Sequence, residues 1–317
     1  MPTRGHRRTP VAVPIEPGTV PLTERRLPPI ERLHHEGLQI EASFEFFPPK
    51  TPELAARLQE TVNQLRPIDP HFVSVTFGAG GTTRERTFET VVDLQQRGYR
   101  AAAHLTCVGS TRDEVVELAE RYREAGITHV VALRGDWPGG EAAPNGTAVP
   151  HASDLVRILR DLGFDEVSVA AFPEGHPESD FSLRREIENL KRKQDAGATR
   201  AITQFVFDNA LYLRYVDQAV AAGVTIPIVP GLLPITDLAL VRGFAARVGA
   251  SVPAWLDPVF AGLDDDPAAR ELVSAGLAAE QAADLATHGV RHVHFYTLNR
   301  ANLTRAVCRL MRIGIAA

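Results

Sequence analysis

The chain has 317 residues, 44% of them hydrophobic, and a formal net charge of -5. That length and apolar content suffice for a substantial core, as one large domain or two small ones, and the negative balance gives no electrostatic reason to expect nucleic acid as a partner. Two cysteines, Cys107 and Cys308, supply neither a disulfide framework nor a zinc-ligand cluster, so no metal is expected; with no run near the roughly 18 apolar residues of a membrane span and no signal-peptide core, the expectation is a cytoplasmic protein without a membrane partner.

Residues 1–38 stand apart from the rest. They hold seven prolines together with Arg4, Arg7, Arg8, Arg25, Arg26 and Arg32, and show little periodicity. This reads as an N-terminal extension, poorly ordered or draped on the surface. Its prolines and Glu16, Glu24 and Glu31 argue against an amphipathic transit peptide.

From residue 39 to 317 the chain reads as one domain. Apolar runs rich in β-branched residues predict strands over 42–47, 72–77, 100–106, 128–133, 166–171, 200–206, 225–229 and 292–297. Amphipathic segments fall between them at 52–66, 83–97, 111–125, 152–162, 181–196 and 209–222, with 236–248 and 267–288 in the longest gap. Several close on a glycine stop, as in Arg97-Gly98 and Ala196-Gly197. Strict alternation implies a parallel sheet. Eight units in about 275 residues fit an α/β (β/α)8 TIM barrel better than a doubly wound sheet, and the first strand is not followed by G-x-G-x-x-G.

A barrel of this kind places its chemistry at the C-terminal strand ends. Those ends carry Glu45, Thr76, His104, Arg134-Gly135-Asp136, Phe172 to His176, Gln204, Pro230-Gly231 and Tyr296 to Arg300. Glu45 stands out, because "SFEFFPPK" seats a carboxylate between Phe44 and Phe46 just before Pro48-Pro49 end the strand. Position alone leaves it open between an outward-facing or arginine-paired glutamate and a functional acid. A second signal is basic: only three lysines, Lys50, Lys191 and Lys193, occur among 34 basic residues, and two of them flank Arg192.

The stretches "SFEFFPPK", "FVSVTFGAGGTTRERT", "AHLTCVG", "VALRGD", "AAFPEGHPES", "NLKRKQDAGATRAITQFVFD", "PIVPGLLPI" and "HFYTLNRA" together resemble the methylenetetrahydrofolate reductases, in the family's order from about residue 43 to 310. The resemblance implies a (β/α)8 barrel with FAD at its C-terminal rim, NADH or NADPH as co-substrate, and reduction of 5,10-methylenetetrahydrofolate to 5-methyltetrahydrofolate by ping-pong hydride transfer. It implies flavin contacts from Thr76, His104, Arg134, Gly135, Asp136, Ala152, Phe172, His176 and Asn189, with Arg192 and Lys193 at the pyrophosphate. Phe172 and His151 stand where some relatives carry tyrosine.

By the same resemblance Glu45 is the general acid that protonates N10 and opens the imidazolidine ring. The flanking phenylalanines suggest an apolar wall that raises its proton affinity. Asp136 would stabilise the resulting cation, or cap a helix, or both. Gln204, Phe244 and Tyr296 would line a pocket shared by pterin and nicotinamide, and Arg300 would pair with the folate's glutamate tail. An electron-relay subunit reduced by a partner protein, and a flavin-free reductase, remain as alternatives. No S-adenosylmethionine domain is expected after the barrel, and oligomeric state is left open, a homo-oligomer included.

Overall fold

The computed structural model describes residues 28–77, 81–135 and 149–314. Eight strands, β1 (Glu41–Phe46), β2 (Val73–Val75), β3 (Ala101–Thr106), β4 (His129–Leu133), β5 (Glu166–Ala171), β6 (Arg200–Phe205), β7 (Ile228–Leu232) and β8 (His292–Tyr296), pair in parallel. Each bonds the next and β8 returns to β1, closing the barrel that the alternation predicts.

The strands are joined by helices. α1 (Pro29–His35) precedes the barrel; α2 (Pro52–Leu65), α3 (Gly81–Gln96), α4 (Arg112–Glu124), α5 (Ala152–Asp161), α6 (Leu183–Asp195) and α7 (Asn209–Ala221) follow β1 to β6 in turn. α8 (Leu238–Val248), α9 (Leu256–Phe260) and α10 (Pro267–Thr287) fill the β7–β8 connection, and α11 (Ala301–Leu310) follows β8. Local chemistry sets the starts. Thr51, Ser182, Asp208, Asp237 and Asp266 each cap a helix with a side-chain oxygen, and Thr111 with Glu114 forms a full capping box. Pro52 and Pro267 occupy first turns, where a missing N–H costs nothing.

One departure from the sequence reading has a physical cause. The seventh strand lies at 228–232, not 225–229, because Gln194 of α6 takes the amides of Thr225 and Ile226 with its side-chain oxygen, at 2.6 and 3.1 Å, before they can join the sheet. Within residues 28–38, α1 buries Leu33, and the Ile30 amide donates to Glu280 of α10 at 3.4 Å.

The main core is the layer between strands and helices, where Phe44, Phe46, Val73, Val75, Phe295 and Leu105 meet helix residues such as Leu58, Val62 and Val307. The barrel's interior differs. Its apolar content is the small cluster of Phe72, Ala102, Val131 and Ile202. Otherwise the inward positions hold Ser43, Glu45, Ser74, His104, His129, Ser168 and His294, all buried. At the lower end the Phe72 ring meets His129 at 4.6 Å and His292 at 5.8 Å, with the Arg200 guanidinium 5.3 Å over its face. Some of these buried polar groups are partnered from strand to strand: His129 Nε2 and Ser168 Oγ lie 2.8 Å apart.

Candidate active site

Strand alternation puts Glu45 inside the barrel and its two phenylalanines outside it. Phe44 and Phe46 belong to the helix-facing core, so they do not form the apolar wall expected around the carboxylate. The neighbours of Glu45 are imidazoles and a phenol. His104 Nε2 lies 3.5 Å and His294 Nε2 3.9 Å from the same oxygen, Oε2. Both nitrogens are buried and without a hydrogen-bond partner. Tyr296 is Glu45's register partner on β8. Burial holds His104 down at about 4, against the pull of the Glu45 charge and with His294 opposing a second cation.

The end of β1 is clamped by the segment after β8. Thr297 donates its hydroxyl to the Glu45 carbonyl at 2.6 Å, and the Asn299 side chain both accepts from the Phe47 amide at 2.8 Å and donates to the Phe47 carbonyl at 3.0 Å. Leu298 and Asn299 have left-handed backbones, φ 51° and 54°, a conformation asparagine tolerates better than most residues. Thr297 and Asn299 thus fix the carboxylate's strand. Sequence reasoning missed them, although both lie in "HFYTLNRA".

Tyr296 crosses the rim. Its hydroxyl donates to the Thr203 carbonyl at 2.8 Å, its ring meets Phe205 edge-on at 5.9 Å, and burial followed by the Glu45 charge holds the phenol well above its ordinary value, so it stays a neutral donor. Gly231 makes the room: a β-carbon there would stand 2.6 Å from the Tyr296 ring and closer still to the Thr203 carbonyl. Gln204 ends β6 with its side-chain oxygen accepting from the Phe205 amide at 3.1 Å. Phe244 of α8 packs against the cluster of Phe205, Leu233, Ile235 and Val241 that also receives Tyr296, and the Arg247 guanidinium lies 4.8 Å over its ring. Arg300 is exposed at the start of α11.

A cationic group occupies the β4–β6 side of the rim. Arg134 pairs with Glu178, and Arg192 bonds Asn189 one turn back on α6. Lys193 turns inward, its ammonium donating to the Ala170 carbonyl at 2.8 Å, with the Phe172 ring 5.7 Å away. Burial pushes Lys193 down to about 8; Glu186 pulls the other way, and the charges of Arg134 and Arg192 press it lower. Lys193 is therefore tied to the end of β5. His176, beside Phe172 at 4.8 Å, accepts from the Glu178 amide at 3.3 Å.

Of the remaining expected residues, Gly135, Thr76 and Ala152 are among those described. Gly135 has φ +86° and sits where a β-carbon would come within 2.6 Å of Val108, so the "LRG" turn packs tightly on the end of β3. Thr76 follows β2, its amide donating to the Phe46 carbonyl at 2.9 Å. Ala152 is buried at the first turn of α5. Asp136 lies outside the described residues.

The whole arrangement is a closed parallel (β/α)8 barrel with a buried acid and an array of cations at its C-terminal rim, which is where such barrels do chemistry. The sequence model of the methylenetetrahydrofolate reductases matches residues 30–312. The chain is 45% identical over 276 residues to the 5,10-methylenetetrahydrofolate reductase of Escherichia coli, covering 87% of this chain and 92% of that one. It is 39% identical over 282 residues to the enzyme of the same name from Buchnera aphidicola of Acyrthosiphon pisum, covering 89% and 95%. Among solved structures, a Clostridium thermocellum protein that binds two copies of 5-methyl-5,6,7,8-tetrahydrofolic acid superposes with a TM-score of 0.58 at 14% identity, covering 90% of this chain and 99% of that one. The last likeness shows the fold. The chain belongs to the methylenetetrahydrofolate reductase family, folate-linked oxidoreductases built on a (β/α)8 barrel.

Proposed function

We propose that this chain reduces 5,10-methylenetetrahydrofolate to 5-methyltetrahydrofolate with electrons from NADH or NADPH, using FAD held at the C-terminal rim. The observation that carries the reading is the inward-facing Glu45, seated among His104, His294 and Tyr296 in a chain so similar to reductases of that name.

The residues present fit a flavin dinucleotide. Arg134, Arg192 and Lys193 bring positive charge to one side of the rim; burial, and after it the two arginine charges, lower Lys193, and an anion such as a pyrophosphate would offset both. Asn189 and His176 would join them in holding the cofactor, with Thr76, His104, Gly135, Ala152 and Phe172 as the further contacts. FAD, when bound, supplies two-electron chemistry between nicotinamide and folate.

The chain's own groups have distinct work. Glu45 gives its proton to N10 of the folate, which makes that nitrogen a leaving group and opens the five-membered ring to an N5 iminium cation. Asp136 supplies a negative charge that stabilises this cation. Gln204 hydrogen-bonds the pterin, Phe244 and Tyr296 form the walls of the pocket, and Arg300 meets the glutamate tail. One proton is consumed per turnover. Anaerobic mixing of the purified yellow protein with NADH or NADPH alone tests the reading: the flavin absorbance bleaches, then returns when methylenetetrahydrofolate is added, with 5-methyltetrahydrofolate as product. A protein that lacks flavin absorbance, or bleaches only with a partner protein present, contradicts it.

A further inference from the structure

Two adjacent strands carry a polar row through the barrel. In register, Glu41, Ser43 and Glu45 of β1 face His292, His294 and Tyr296 of β8. At the N-terminal mouth the exposed Glu41 carboxylate and ring nitrogens of His71 and His292 lie within 4.8 Å of one another, His71 Nδ1 being 3.0 Å from Glu41. Next comes His292 Nε2, 2.9 Å from Ser43 Oγ; then Ser43 Oγ, 2.7 Å from His294 Nδ1; then the unpartnered His294 Nε2, 3.9 Å from Glu45 Oε2. The last gap exceeds a hydrogen bond, and a small rotation of Glu45 would close it.

We infer that this row is a proton relay, delivering from the N-terminal mouth the proton that Glu45 gives up at the C-terminal rim. The inference rests on the assignment of Glu45 as the acid. While a folate covered the rim, the spent carboxylate would be screened from solvent on that side, and the row would connect it to the other before the product leaves.

The contacts admit one consistent polarity, with His292 Nε2–H donating to Ser43, Ser43 O–H donating to His294 Nδ1, and His294 Nε2–H directed at Glu45. A proton entering at His292 Nδ1 displaces the Nε2 proton to Ser43, whose own proton passes to His294 Nδ1 while the Nε2 proton moves to Glu45. One proton enters, one arrives, and no charge stays on the way; each imidazole ends as its other tautomer, and the row resets by reorientation. The intermediates must be bifunctional, which neutral imidazole is. Burial, then the charge of Arg200, with His71, His294 and His129 around it, pushes His292 down to about 2. His294 is faced by Ser43 and Glu45 from β1, by the Phe72 ring stacked at 5.7 Å, and by Tyr296 at 5.5 Å.

The mouth cluster has the residue types of a cation site, but guanidinium groups already stand at both ring nitrogens of His71. Arg100 and Arg200 each bring a guanidinium nitrogen 3.1 Å from His71, and burial followed by those two charges lowers it. Such a setting favours neutral proton-carrying groups over a bound metal.

Ser43→Ala in the FAD-loaded enzyme interrupts the row at its centre without touching the rim. The proton already on Glu45 serves the first turnover, so single-turnover reoxidation by methylenetetrahydrofolate should run near the wild-type rate. Continuous turnover should fall by about 10-fold or more, with a larger solvent deuterium isotope effect. His292→Ala should show the same loss and recover with added imidazole, a rescue that a purely structural defect does not show, and it serves as the test if Ser43→Ala does not fold. Wild-type turnover with an unchanged isotope effect in these variants overturns the relay. If Glu45→Gln is inactive in reoxidation while Ser43→Ala turns over normally, the relay alone fails; if Glu45→Gln reoxidises normally, the acid assignment fails with it.

Discussion

Tyr296 spans the rim to the main-chain carbonyl of Thr203, with 2.8 Å between hydroxyl and carbonyl oxygen. The bond joins the ends of β8 and β6 across β7, and it exists only because Gly231 has no side chain. Gly231→Ala is expected to destabilise the protein by about 1–3 kcal/mol, the usual cost of overpacking a rigid site. It should also displace Tyr296 and weaken binding of the pterin or nicotinamide. Tyr296→Phe should cost about 1 kcal/mol, because it strands the Thr203 carbonyl but leaves the packing. Denaturant unfolding of the two variants checks both, and equal stability of Gly231→Ala and wild type contradicts the account.

Lys193 gives the proposed flavin site a pH signature. Held down at about 8 in the free protein, it is largely uncharged above that pH, and a phosphate beside it favours the ammonium. FAD binding between about pH 8 and the ordinary lysine value near 10.4 should therefore take up a proton and weaken as pH rises. Calorimetry in two buffers of different ionisation enthalpy measures the uptake. Lys193→Met should bind FAD more weakly at neutral pH and lose the proton uptake; uptake that survives in this variant means another group meets the phosphate.

Acid should unfold the barrel through its interior. His104 titrates near 4, His292 near 2 and His129 well below its ordinary value, in each case chiefly because burial disfavours the cation. Each gains its proton near 6.5 once unfolded, so below that pH the unfolded chain binds more protons and stability falls as pH falls. Between about pH 6 and 4.5 each such imidazole steepens the decline by up to about 1.4 kcal/mol per pH unit. Urea unfolding at a series of pH values should show this slope, and His129→Gln should reduce it. A flat profile from pH 7 to 5 contradicts neutral burial of these groups.

The parallel barrel and the rim were legible because strand alternation and glycine stops are local signals. The carboxylate's surroundings were not, because a barrel sets Glu45 against β3 and β8, distant in sequence, while "FEF" makes Phe44 and Phe46 look like its neighbours. The inward row was nonetheless written in period two: "EASFE" and "HVHFY" place Ser43, Glu45, His292 and His294 on one face once the register of β1 with β8 is known. The seventh strand was misplaced because the competitor for its amides, the Gln194 side chain, sits on another element. Lys193 was singled out as a phosphate ligand, but its bond to the Ala170 carbonyl was not legible, since a helix face alone does not reveal the main chain beneath it.

The account turns on Glu45 being an acid for folate and nothing else. Glu45→Gln keeps the shape of the side chain but has no proton to deliver. Rapid mixing separates the two half-reactions: flavin reduction by NADH or NADPH should proceed at close to the wild-type rate, and reoxidation by methylenetetrahydrofolate should slow by at least about 10²-fold with the folate still bound. Equal slowing of both steps would show that Glu45 organises the rim instead, and reoxidation at the wild-type rate would place the acid elsewhere.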